Sequence, residues 1–272
     1  MVIFPGAKIN IGLRITQKRL DGYHVLQTIY YPVRLFDVLE FVVPDRHLYN
    51  DILTISGLVP ESKGDNNLVI KVLKLLRERI NIPFLEIHLH KTIPQGAGLG
   101  GGSSDASFFM KSLNRYFNLG FDTSELKALS MELGSDCPFF IDNIPVYAEG
   151  RGEIMTPVNQ LPQGYFLLLI KPDISVRTED AYKGCIPYQD GKFLSEYYNK
   201  DIREWKGLII NDFEKTIFED YPHIANIKDS LYESGAIFSL MSGSGSAVYG
   251  IYNKKPEIPQ SLRGKVIYSG VL

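Results

Sequence analysis

Five glycines fall within the eleven residues Pro94-Gln95-Gly96-Ala97-Gly98-Leu99-Gly100-Gly101-Gly102-Ser103-Ser104. A run this rich in glycine costs backbone entropy and offers no side-chain packing, so its use lies in what bare backbone can do. It can turn left-handed, and its N–H groups can close around a ligand. Ser103, Ser104 and Asp105 are good N-cap residues, and residues 106–113 read as the helix that follows. Glycine-rich backbone feeding a helix N-terminus is an anion site, because unpaired N–H groups and the helix dipole converge there. Phosphate is the expected anion.

Spacing separates the known phosphate loops. A P-loop needs Lys-Ser or Lys-Thr after its last glycine, and Gly102-Ser103-Ser104 lacks the lysine. Gly96–Gly101 matches the dinucleotide fingerprint by letter, but that loop joins a strand directly to a helix and is soon followed by another strand. Here Pro94 interrupts the entry, and two helical stretches, 104–116 and 123–133, follow with no strand between them. A flexible linker fits poorly, since Leu99 breaks the glycines and regular segments abut both ends.

With 272 residues the chain can bury a sizeable core in one large or two modest domains. A net charge of −2 gives no reason to expect a nucleic acid or a membrane as partner. The two cysteines, Cys137 and Cys185, suit a reducing compartment and no disulfide framework. Met1-Val2-Ile3-Phe4 has no basic n-region and no apolar run reaches bilayer length, so a cytoplasmic protein is expected.

Ala7, Ile9, Ile11, Leu13 and Ile15 alternate with Lys8, Asn10, Gly12, Arg14 and Thr16, which predicts a strand with one buried face. Lys8 and Asn10 then share a side, and Lys8 alone reads as a solvated lysine. Strands are also predicted over 38–43, 52–56 and 85–89, with a helix over 68–80 between the last two. Thr123 is the expected cap of a helix that Gly134 ends. After residues 157–162 come a strand over 165–170, helices near 211–218 and 224–232, and strands over 237–241 and 247–252. The mixture is α+β, not alternating βαβ, with units over 1–157 and 158–272.

Pro94–Ser104 resembles the ATP loop of the GHMP kinases. Two further segments match that family in the right order, Pro5-Gly6-Ala7-Lys8-Ile9-Asn10-Ile11-Gly12-Leu13 and Ser242-Gly243-Ser244-Gly245-Ser246-Ala247-Val248-Tyr249-Gly250. Asp21-Gly22-Tyr23-His24-Val25-Leu26-Gln27-Thr28 and Gly134-Ser135-Asp136-Cys137-Pro138-Phe139-Phe140 are similar to members that phosphorylate a small molecule carrying a cytidine diphosphate group, in isoprenoid precursor synthesis. The resemblance implies a two-domain GHMP kinase fold, with an N-terminal domain like ribosomal protein S5 domain 2 and a ferredoxin-like α+β C-terminal domain. It also implies ATP as phosphoryl donor and Mg²⁺ as its companion.

Phosphoryl transfer to a hydroxyl needs positioning, charge neutralisation and a proton acceptor. By resemblance Asp136 is the catalytic acceptor; from the residues alone it reads as the N-cap of a short turn at Cys137-Pro138. Lys8, carried over from the motif, lies beside Asp136 and stabilises the developing charge, and Asn10 holds the acceptor substrate. Pro94, Gln95, Gly96, Ala97, Gly98, Leu99, Gly100, Gly101, Gly102, Ser103 and Ser104 hold the triphosphate, with Ser103 a Mg²⁺ contact. Asn67 matches a position near the adenine, or is simply a helix cap. Tyr23 and Tyr182 match an aromatic sandwich for cytosine, with His24 reading the edge of the base. Tyr30 and Tyr31 read as core or edge aromatics, and His47, His88, His90 and His223 have no metal-ligand spacing. Gly243-Ser244-Gly245 supports either the substrate diphosphate or the nucleotide loop. Two alternatives stay open: another GHMP small-molecule kinase, acting on a sugar or homoserine, and a nucleotide-binding regulator without catalysis.

Overall fold

A computed structural model describes residues 1–58, 66–159, 161, 163–185, 187 and 194–272. The chain runs through β1 (Val2–Ile3), β2 (Gly6–Lys18), β3 (His24–Phe36), β4 (Val38–Val42), β5 (Ile52–Gly57), α1 (Leu68–Arg77), β6 (Glu86–Lys91) and α2 (Gly101–Tyr116). There follow α3 (Thr123–Met131), α4 (Cys137–Asp142), β7 (Val146–Glu149), β8 (Ile154–Pro157), β9 (Phe166–Ile170) and α5 (Thr178–Lys183). The last stretch holds α6 (Phe213–Asp220), α7 (Pro222–Glu233), β10 (Phe238–Met241), β11 (Val248–Tyr252) and β12 (Val266–Val271). Helices mix with mainly antiparallel sheets, the expected α+β class.

Two compact units draw on interleaved stretches of sequence. The first takes Met1–Ala7, Arg34–Gln95 and Gly100–Ile144; the second takes Lys8–Val33, Gly96–Leu99 and Pro145–Leu272. In the first unit a sheet of order β1-β4-β6-β5 is antiparallel except for the parallel β5–β6 pair. Period-two alternation turns Leu39, Phe41, Ile87 and Leu89 to one side, where they pack with Val69, Val72, Leu73 and Leu76 of α1 and Phe109, Met110 and Leu113 of α2. Asn67 caps α1, its side chain accepting from the Val69 N–H at 2.9 Å. Asp122, not Thr123, caps α3, in a reciprocal capping box with Glu125.

The start of α2 departs from expectation. The helix begins at Gly101, with Gly100 as N-cap at φ +70°, so Ser103, Ser104 and Asp105 lie inside its first turns. Their side chains serve the interior instead of capping. Asp105 takes a bond of 2.5 Å from Lys91 Nζ, which also pairs with Asp37. Asp37 in turn accepts from the Thr92 and Ile93 backbone N–H groups at 2.6 and 2.8 Å. The cluster therefore bolts the end of β6 to the first turns of α2.

The second unit contains two sheets, of orders β2-β3-β7-β8 and β10-β11-β9-β12. Its core joins Leu168 and Ile170 of β9 and Val248 of β11 with Phe213 and Ile217 of α6 and Ile224, Ile227 and Leu231 of α7. In β2 the expected single buried face is corrected, because every residue from Gly6 to Ile15 is buried. Its polar residues find protein partners and stay out of solvent: Lys8 bonds Asn10, and Arg14 pairs with Asp212 at 3.3 Å.

The Lys91 cluster makes stability depend on pH. Burial, with the Asp37 carboxylate adding and the Lys91 ammonium opposing, pushes the Asp105 carboxyl from 3.8 up to about 8. The folded chain then holds a proton that the unfolded chain has already released, so stability falls as pH rises between those two values. Asp105→Asn, which cannot ionise, is expected to flatten that fall. Urea midpoints at about pH 5.5 and about pH 8.5 measure it, and wild-type slope in the variant would place the titration elsewhere.

Candidate functional site

Gly96–Leu99 lies in the second unit, seated on backbone from two sides. The Lys8 N–H donates to the Leu99 carbonyl at 3.0 Å. From the C-terminal glycine turn, the Ser246 and Ala247 N–H groups donate to the Gly96 and Ala97 carbonyls, each at 3.2 Å. Ser242 Oγ donates to the Gly98 carbonyl at 2.9 Å. Gly98 has φ +72°, and a Cβ there would overlap the Ser242 carbonyl oxygen. The turn around Gly243-Ser244-Gly245 thus packs on the Gly96–Leu99 backbone. Asn211 holds that turn: its Nδ2 donates to the Met241 and Gly243 carbonyls at 2.9 and 2.8 Å, and its Oδ1 accepts from the Phe213 N–H at 3.0 Å. An asparagine before a helix reads only as a cap, so the sequence gives no signal of this role.

Gly100–Ser104 continues the loop in the first unit as the start of α2. Ser104 is wholly buried and its Oγ has no hydrogen-bond partner, while Ser103 is half-buried. Ser107 Oγ donates to the Cys137 carbonyl at 2.8 Å. Burial pushes the Cys137 thiol up to about 11, against the pull of bonds from Ser103 and Ser107. Those bonds fix α4 against α2 and place Asp136, the residue before Cys137, beside the first turns of α2. Asp136 stands at the N-cap position of α4, yet its side chain makes no capping bond. It is half-buried.

The remaining candidates belong to the second unit. Lys8 and Asn10 are buried side by side, with Lys8 Nζ donating to Asn10 Oδ1 at 2.6 Å and lying 5.1 Å from the centre of the Tyr30 ring. Asn10 also donates its backbone N–H to Ser242 Oγ at 3.1 Å. His24 stacks on Tyr182, ring centres 4.8 Å apart and planes at 21°. Tyr182 in turn meets Phe213 edge-on at 4.8 Å. Tyr23 is 53% exposed, and its ring carries the Arg151 guanidinium at 4.1 Å. His24 is thus the ring that lies against Tyr182, and Arg151 joins the group without any signal from sequence. Burial, helped by the Lys18 ammonium, lowers the His24 pKa below its ordinary 6.5. Its imidazole is therefore neutral at pH 7, with one donor and one acceptor nitrogen.

Comparison with known proteins places these features in one family. The GHMP kinases N terminal domain matches residues 67–144 and the GHMP kinases C terminal domain matches residues 194–264. A 4-diphosphocytidyl-2-C-methyl-D-erythritol kinase of Bacteroides fragilis is 45% identical over 258 residues, 95% of this chain and 94% of that protein. One from Parabacteroides distasonis is 46% identical over 254 residues, covering 93% and 92%. A crystal structure of 4-(cytidine 5'-diphospho)-2C-methyl-D-erythritol kinase aligns with TM-score 0.76 and 31% identity, over 92% of this chain and 90% of that one.

Gly98→Ala is expected to lower the melting temperature and to weaken binding of an adenine nucleotide by about tenfold or more, because the turn beneath it must move. Gly22→Ala is the control: Gly22 is also left-handed, at φ +86°, but nothing lies near its Cβ position. That change should cost only backbone strain, on the order of 1 kcal/mol, and leave nucleotide affinity alone. Equal nucleotide losses in the two variants would remove the seating of Gly98 from the explanation.

Proposed function

Since the chain belongs to the GHMP kinase family, we propose that it transfers the γ-phosphoryl group of ATP to the 2-hydroxyl of 4-diphosphocytidyl-2-C-methyl-D-erythritol, giving the 2-phosphate and ADP. The observation that carries the substrate is the identity, above 40% across nearly the whole chain, to relatives bearing that enzyme's name. The product then serves non-mevalonate isoprenoid precursor synthesis in the cytoplasm. The two family domains take residues 1–157 and 158–272.

In this reading the backbone of Pro94–Ser104 cradles the triphosphate, with the α2 N-terminus adding its dipole. Asn67 neighbours the adenine while capping α1. Asp136 accepts the proton of the attacking hydroxyl as the oxygen–phosphorus bond forms and the bond to ADP breaks. Lys8 offsets the charge that builds on the phosphoryl oxygens, and Asn10 holds the acceptor. Neutral His24 supplies a donor and an acceptor along the cytosine edge, while Tyr23 and Tyr182 offer faces for stacking. Among the described residues no three His, Cys, Asp or Glu side chains are grouped to hold a metal ion. That donor set fits Mg²⁺ carried on the nucleotide, which keeps most of its ligands as water and phosphate and takes few from protein. Ser103 is the hydroxyl that would reach it, and the ion would neutralise phosphate charge. No helix among the described residues is long and apolar enough to cross a membrane.

An assay coupling ADP release to a chromogenic reaction, with and without the cytidine substrate, tests the proposal. Turnover that needs this acceptor supports it; equal or better turnover with homoserine or a sugar, or none with any acceptor, overturns it. Asp136→Asn should keep the fold and lose ~10²–10⁴-fold in kcat, since an amide cannot accept the proton. Near-wild-type kcat would leave Asp136 as a helix cap.

The cytidine end has its own test. Tyr182→Ala removes the support of His24 and a stacking face worth about 1–3 kcal/mol, so CDP binding should weaken roughly tenfold or more. An ATP analogue should bind as before. Titrating each nucleotide separately decides it, and equal losses for both would make the ring a structural one.

A further inference from the structure

The side-chain amide of Asn10 has two chemically opposite ends, and its orientation decides what it presents to Lys8. Nδ2 donates to Thr28 Oγ1 at 2.9 Å, and Oδ1 accepts from Lys8 Nζ at 2.6 Å. Turned over, the amide would set N–H against an ammonium, donor against donor. The ammonium opposes this from one side and the Thr28 hydroxyl from the other. The hydroxyl's single proton is donated to the Gly12 carbonyl at 2.6 Å, so towards Asn10 its oxygen can only accept. Thr28 is 0%, Asn10 2% and Lys8 4% exposed, so water does not compete for these bonds. Gly12 is itself confined, at φ +73° with Leu194 Cδ1 2.7 Å from where a Cβ would stand.

We infer that Thr28 is a positioning residue for phosphoryl transfer, acting through Asn10 to aim the Lys8 ammonium. Polarity runs one way along the chain of bonds, from the Gly12 carbonyl through the Thr28 hydroxyl and the Asn10 amide to Lys8. The inference rests on the kinase reading, in which Lys8 meets charge that grows during the transfer. Without the hydroxyl, the amide nitrogen loses its acceptor, and the oxygen that Lys8 meets is no longer held in one place. The ammonium is then aimed less firmly from this side, a defect felt in the transition state more than in substrate binding.

The test compares Thr28→Val, which keeps the shape and removes the hydroxyl, with Thr28→Ser, which keeps the hydroxyl. Thr28→Val should lower kcat about tenfold or more with the KM of both substrates within about twofold, and Thr28→Ser should restore most of the rate. In the Lys8→Ala background, Thr28→Val should cost nothing further, because a residue that acts through Lys8 has nothing left to aim. Independent, additive losses, or a loss confined to KM, would overturn the inference. If Thr28→Val does not fold, Thr28→Cys takes its place with the same non-additivity expected, the thiol being a poorer donor. Nitrogen-15 NMR of the lysine ammonium groups separates this inference from the kinase reading. A hydrogen-bonded, slowly exchanging Lys8 signal should be present in the wild type and lost in Thr28→Val. A wild type inactive on the cytidine substrate, with that loss observed, would sink the reading and keep the relay. A signal unchanged by Thr28→Val would sink the relay whatever the turnover.

Discussion

One buried hydroxyl, Ser242 Oγ, ties its own turn to two stretches that each lie more than a hundred residues before it. It accepts the Asn10 N–H from β2 and donates to the Gly98 carbonyl, so the β2 segment, the glycine strip and the C-terminal glycine turn share a single atom. Tyr249 reinforces the junction by donating its hydroxyl to the Asn10 carbonyl at 3.0 Å. Ser242, Asn10 and Tyr249 are all buried, so breaking the bond between Ser242 and Asn10 leaves a buried polar atom unpaired at a cost of about 1–3 kcal/mol. The glycines follow from the same contact. Gly98 has no room for a Cβ beside Ser242, and at Gly243 a Cβ would lie 3.1 Å from Asn10 Oδ1. Part of the glycine content that reads as ligand-binding backbone is thus backbone packed against backbone.

Much of this was legible in the residues, and the rest failed for identifiable reasons. The glycine run, its helix and the three family segments were visible because glycine spacing and caps are local signals. The alternation in β2 gave the right strand and the wrong environment. A binary pattern cannot tell a polar face bathed in water from one whose groups are satisfied by Asn10, Thr28 and Asp212. The α2 start was misplaced because Ser103, Ser104 and Asp105 have cap chemistry, while the Lys91 ammonium draws Asp105 inward and the helix starts on glycine instead. Thr28 stood inside a recognised motif without a role, since its partners, Gly12 and Asn10, are two strand positions on a neighbouring stretch of chain. Asn211 and Arg151 gave nothing, because carbonyls thirty residues away and a tyrosine face leave no trace in local sequence.

The aromatic group shows the same limit. By resemblance Tyr23 and Tyr182 are the two faces of an aromatic sandwich, with His24 at its edge. β3 begins at His24, and strand geometry sends neighbouring side chains to opposite sides. His24, the first residue of β3, takes the Tyr182 face, while Tyr23, just before the strand, carries Arg151. A neutral imidazole held flat against a tyrosine has its in-plane donor and acceptor fixed in direction, which is what reading the edge of a base requires.

Two buried lysines in this chain show how burial can be used in opposite ways. Lys91 lies between Asp37 and Asp105, whose side chains both orient the ammonium while the Asp37 carboxylate offsets its charge. Such a lysine is a bolt, and its charge ends where its partners are. Lys8 donates to an amide oxygen and lies against the Tyr30 ring, two contacts that are both neutral. A neutral acceptor directs an ammonium without adding an opposite charge of its own. Giving that direction requires an acceptor of fixed polarity. An amide provides one only when its other end is pinned, and in the second unit the Thr28 hydroxyl pins it.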